Sequence, residues 1–124
     1  MSTYNKGLMA AVGKGDSKEV QNLLSKGIPL PELKAEDNYG NALHHAVKAY
    51  STLKEQIEKV RPNYDRLTSS EIKLFTDRYQ ICSLLMQHGL RLDWAHPKDK
   101  KILQEILNHG WLEIYALVAY NANA

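Results

Sequence analysis

Ten residues constrain this chain more than any others: positions 37–46, reading DNYGNALHHA, pass from a tight turn into a helix without an intervening linker. Asp37, Asn38, Tyr39 and Gly40 carry turn chemistry, because an Asx side chain accepts a bond from its own backbone two residues on and glycine admits φ > 0. The helix starts at Ala42. Its apolar positions, Ala46, Tyr50, Leu53, Ile57 and Val60, follow one another at spacings of four, three, four and three. That rhythm predicts one uninterrupted amphipathic helix running to about Val60, with Pro62 as its stop.

A second kind of segment recurs. Positions 15–27 read GDSKEVQNLLSKG, positions 77–89 read DRYQICSLLMQHG, and positions 110–122 read GWLEIYALVAYNA. In the first, Asp16 or Ser17 is placed to cap a helix whose Val20, Leu23 and Leu24 share a face, and Gly27 is placed to end it as a left-handed cap. In the second, Ile81, Cys82, Leu84 and Leu85 fill the equivalent apolar slots before Gly89. A shorter apolar helix, from Tyr4 to Val12, precedes the first of these segments.

Taken together, the turn, the helix opening and the glycine-ended segments resemble the ankyrin repeat, a unit of about 33 residues built from a β-turn and two helices with the signature T-P-L-H-x-A. Leu43, His44 and Ala46 match that signature directly. Asn41 stands where the family has Thr, Ala42 takes the Pro or Ala slot, and one residue is missing between Gly40 and Asn41. Gly27 and Gly89 lie 62 residues apart, which exceeds one repeat period by 29. Most of the surplus falls at about 51–76, inside the second unit. There Thr68, Ser69, Ser70 and Glu71 read as a capping box, and Ile72, Phe75, Tyr79, Cys82 and Met86 run at helical spacing. The insertion is therefore expected to extend the two helices of the second unit into a helical hairpin.

The resemblance implies an all-α, ankyrin-type solenoid of stacked antiparallel helix pairs in a single domain spanning 1–124. Repeat one covers about 4–33, repeat two about 34–89 and repeat three about 90–124. Residues 28–36, with Pro29 and Pro31, are expected to form an extended connection, and residues 90–97 a second one. The third unit matches least well: its inner helix, 98–108, has neither Thr-Pro nor His. Its last helix, from Trp111 to Tyr120, is apolar nearly all round, whereas a terminal repeat needs a polar outer face. The hairpin, a partner or a second copy of the chain is expected to cover it, unless the chain is a piece of a longer array. A homodimer would use Trp111, Leu112, Tyr115 and Tyr120.

Composition narrows the function classes. A net charge of +2 spread along 124 residues argues against a nucleic-acid or membrane surface. No run approaches a membrane span or a secretory leader. The single Cys82 has no internal disulfide partner and occupies an apolar helical slot, so a buried inert thiol in a reducing, cytoplasmic setting is expected. His44 and His45 are adjacent and so diverge around a helix, whereas metal ligation needs i, i+4 spacing. No metal or cofactor is expected. No phosphate loop, carboxylate pair or nucleophile with an identifiable base appears, and the chain reads as a binding protein rather than an enzyme.

The resemblance implies a protein partner held by the hairpin tips and inner helices, through Tyr39, Asn41, His45, Lys48, Trp94 and His96. The aromatic residues lead that set. His44 would serve as a structural hydrogen-bonding residue. Small ankyrin proteins with irregular insertions resemble both cytoplasmic adaptors and effectors that intracellular bacteria send into host cells, and an export signal of that kind would not be legible here.

Overall fold

The computed structural model describes residues 3–60 and 66–120, with side chains from Lys6 onward. Seven helices account for the regular structure of the described residues: α1 (Thr3–Lys14), α2 (Ser17–Ser25), α3 (Leu30–Leu33), α4 (Ala42–Val60), α5 (Ser69–Gln87), α6 (Pro97–His109) and α7 (Leu112–Tyr120). The chain is all-α. Pro62 and the end of the last segment at Asn121 or Ala122 lie outside the described residues.

Local sequence explains where these helices begin and end. Asp16 caps α2 by accepting from the Glu19 amide at 3.1 Å. The capping box of α5 is complete: Thr68 Oγ1 accepts from the Glu71 amide at 3.1 Å, and the Glu71 carboxylate accepts from the Thr68 amide at 2.8 Å. Gly27 and Gly89 follow α2 and α5 with φ of 82° and 104°, the left-handed geometry that lets the next amides fold back on the last carbonyls.

The extended connection expected at 28–36 is corrected by α3. Pro31 falls in the first turn of this short helix, where an amide hydrogen has no intrahelical acceptor, so the missing N–H costs nothing and the fixed φ favours the turn. The turn serves to bury Leu33, which is 1% exposed. Between α5 and α6, by contrast, residues 90–96 stay outside any helix, with Leu90 and Leu92 buried beneath the chain.

Helix α1 packs on α2 and α4 on α5, and these two pairs lie side by side, α1 against α4 and α2 against α5. Two-residue connections make the α1–α2 and α6–α7 pairs antiparallel. Leu8, Ala11 and Val12 of α1 meet Val20, Leu23 and Leu24 of α2 and Leu43, Ala46, Val47 and Tyr50 of α4 in one core. Helices α6 and α7 form a third pair, joined to the rest through α5 and α7. The inserted residues do extend α4 and α5, yet the apolar rhythm outlasts its burial. Leu53 is 8% exposed, Val60 72% and Ile72 52%: burial falls away along the hairpin, which meets the last helix pair on one side only.

Candidate partner-binding face

The turn before α4 is built on Asp37. Its backbone amide donates to the Gly40 carbonyl at 3.0 Å, and its Oδ1 accepts from the Tyr39 and Gly40 amides at 2.8 and 3.0 Å. His45 Nε2 reaches both carboxylate oxygens, at 2.9 and 2.8 Å. The Gly40 amide, then the His45 ring and the Tyr39 amide, hold the Asp37 carboxyl well below the usual carboxylate range.

With its backbone fixed this way, Tyr39 presents its ring to three side chains. The His45 ring lies 5.1 Å away, tilted by 56°, and the ammonium groups of Lys48 and Lys98 sit 4.5 and 5.1 Å from the ring centroid. Burial, and then the nearby Glu105 carboxylate, push the Tyr39 hydroxyl up from its ordinary value. Between α4 and α6 the surface opens into a cleft of about 240 Å³, lined by Tyr39, Lys48 and Glu55 on one side and Glu105 and His109 on the other. A wider cleft of about 380 Å³ lies along the same helix, from His45 and Lys48 to Gln56, and is also lined by Arg78 of α5.

Beneath this face, His44 links the turn to the third helix pair. Its Nδ1 accepts from the Asn41 amide at 3.0 Å, so the ring proton sits on Nε2, which donates to Asp99 Oδ1 at 2.7 Å. The second oxygen of Asp99 accepts from the Asp93 amide at 2.9 Å. His44 and Asp99 are 4% and 6% exposed, so the connection between the start of α4 and the start of α6 is made away from water. Gly40 is part of the arrangement, since a Cβ there would stand 2.4 to 2.8 Å from the His44 side chain.

Of the residues expected to contact a partner, Tyr39, His45 and Lys48 come together. Asn41 points into the helix, where its Oδ1 accepts from the Leu43 and His44 amides at 2.9 and 3.1 Å as an N-cap. Trp94 is half-buried against the core, and His96 is exposed at the start of α6 with its Nδ1 4.0 Å from Asp99. Lys98, Asp99 and Arg78 join the arrangement without any local signal in the sequence. They are brought there from 50, 55 and 30 or more positions away.

Trp111, Leu112, Tyr115 and Tyr120, the set named for a homodimer, do not share one exposed face. Trp111 is 5% exposed; its indole Nε1 donates to Glu58 of the α4 extension at 2.8 Å, and its ring stacks on His109 at 4.1 Å. Leu112 and Tyr120 are 67% and 89% exposed, and Tyr115 is half-buried. The hairpin thus covers one end of the last helix pair. Between them runs an apolar groove of about 690 Å³, with Leu67, Ile72, Phe75 and Tyr79 on the hairpin side and Ala116 on α7.

Other chemistry-bearing groups are structural. Cys82 is fully buried, and loss of solvent pushes its thiol up to about 12. Among the described residues, no three His, Cys, Asp or Glu side chains converge on a point where a metal ion could be held, and no helix is long and apolar enough to cross a membrane. No protein-family model matches the chain, and no curated protein or solved structure is similar to it.

Proposed function

We propose that this chain is an ankyrin-type protein-binding module that acts by recognition rather than catalysis, with the surface around Tyr39 as its contact face. The observation that carries the proposal is the Tyr39 cluster: an aromatic ring held at the edge of a cleft by a turn in which the Asp37 carboxylate takes the Tyr39 and Gly40 amides and the His45 ring. Aromatic side chains with fixed rotamers bury area at low entropic cost, which is why they anchor interfaces. Two further features support the ankyrin reading. The first two helix pairs lie side by side, and His44 is a hydrogen-bonding residue at the turn, accepting from the Asn41 amide, as the resemblance implies for its slot. On this reading the third unit is α6 and α7, tied to the second through Asp99.

The test is affinity capture with the full chain and with Y39A and K48A as baits, each first checked for helical content. Proteins retained by the parent chain and lost by both variants support the proposal. Equal retention by all three baits overturns it. The exposed apolar side chains of the hairpin favour a second reading, in which the groove bounded by Ile72 and Phe75 takes the partner; retention by Y39A with loss by I72D selects it.

A further inference from the structure

Arg78 buries one of its guanidinium nitrogens against another helix pair. It projects from α5 across to the turn between α1 and α2, and its Nη1 and Cζ lie 2.5 and 2.8 Å from where a Cβ on Gly15 would stand. Gly15 has φ of 73° and is itself buried, so the guanidinium rests on bare backbone that no other residue type could leave open. The Nη1 atom is buried and has no hydrogen-bond partner among the described residues. A buried donor on a permanent cation is costly to leave unpaired, and native structures rarely do so unless a ligand, ion or water completes the site.

Arg78 also lines the 380 Å³ cleft. Lys48, Thr52 and Gln56 line its α4 wall at successive i, i+4 positions, so their side chains point the same way. His45 lines it too, already engaged by Asp37. Among the described residues, no carboxylate lines the cleft. Two cations and two neutral hydrogen-bonding groups around a space of this size make a receptor for a planar oxyanion, which a guanidinium binds through two parallel hydrogen bonds.

We propose that this cleft binds a carboxylate, the side chain of an Asp or Glu on the protein partner, with Arg78 as the principal donor and Lys48 as the second charge. The inference rests on the binding function proposed above for the source of the carboxylate, and it adds the chemistry of that partner: an acidic segment crossing α4 beside Tyr39. Lys48 belongs to both features, since it lies over the Tyr39 ring and lines the Arg78 cleft.

The experiment is an NMR titration of the ¹⁵N-labelled full chain with acetylated, amidated tri-glutamate at constant ionic strength, following the Arg78 Nε–H and the Thr52 and Gln56 amides. A saturable shift with Kd in the millimolar range is expected, and K48M should weaken it by about tenfold. R78M should abolish it. No saturable shift in the parent chain overturns the proposal, as does an unchanged response in K48M or in a folded R78M. Inorganic phosphate is titrated in parallel, and saturation by phosphate without saturation by the peptide also overturns it. A chain that binds tri-glutamate but captures no partner through Tyr39 has lost the module reading and kept the carboxylate site.

Discussion

Asp99→Ala is the substitution that asks most of the structure. The carboxylate accepts two hydrogen bonds in a nearly dry setting, from His44 Nε2–H at 2.7 Å and from the Asp93 amide at 2.9 Å. Removing it strands both donors, and each unpaired buried donor costs about 1–3 kcal/mol, so the loss should be about 2–6 kcal/mol. A domain of this size is stable by about 5–15 kcal/mol, so D99A stays folded with a much reduced margin. The loss is also local. The dyad joins the start of α4 to the start of α6, and both tryptophans, Trp94 and Trp111, belong to the region after Leu90. Urea unfolding followed by tryptophan fluorescence should therefore show an earlier midpoint in D99A than unfolding followed by far-ultraviolet circular dichroism, whereas the two midpoints coincide in the parent chain. H44A combined with D99A should lose less than the sum of the single changes, with a coupling of about 1 kcal/mol or more. A loss in D99A within about 0.5 kcal/mol, as an ordinary surface change would give, would refute the reasoning. Strict additivity with H44A would refute it too.

Two further predictions test the titratable groups. Because burial raises the Cys82 thiol to about 12, the folded chain should resist an aromatic disulfide reagent in mildly alkaline buffer and react only once denatured; rapid reaction without denaturant would contradict the packing of α5. Asp37 has its carboxyl depressed in the folded state, so its contribution to stability is fully present above the ordinary carboxylate value of 3.8 and fades as pH falls through the folded value. D37N should accordingly be less stable than the parent chain at neutral pH, with the gap closing on acidification below 3.8. A gap that does not change with pH would show that the turn does not depend on the charge.

What could be read from the sequence was whatever is decided within a few residues. The Asp16 cap and the Thr68–Glu71 capping box depend on groups three positions apart, the glycine ends of α2 and α5 on the freedom of a single residue, and each stands where expected. The unbroken α4 was legible because its spacing never changes. Pro31 misled for an equally local reason: two nearby prolines argue against a helix only when neither can occupy its first turn. Burial along the hairpin was not legible. Periodicity tells which face of a helix is apolar but not whether anything lies opposite, and for Val60 and Ile72 little does.

The candidate site was less legible because it is assembled across the chain. Asn41 looked like a contact residue from its slot in the turn, yet the same short amide that suits a turn also suits an N-cap, and in the fold the cap claims it. Charge makes the same point in the other direction. Spread along 124 residues, a net +2 gives no patch. Folding brings Lys48 and Lys98 over one ring and sets Lys48 and Arg78 on one cleft, while Asp37 is turned toward His45. Charge that is dispersed along the sequence is gathered locally, because packing sets α4 beside α5 on one cleft and beside α6 on another. For a protein with this architecture, the sign of charge where the helix pairs meet is therefore a better guide to the partner than the sign of the whole chain. Here that sign is positive in the Arg78 cleft, whereas Glu55 and Glu105 join Lys48 in the cleft between α4 and α6.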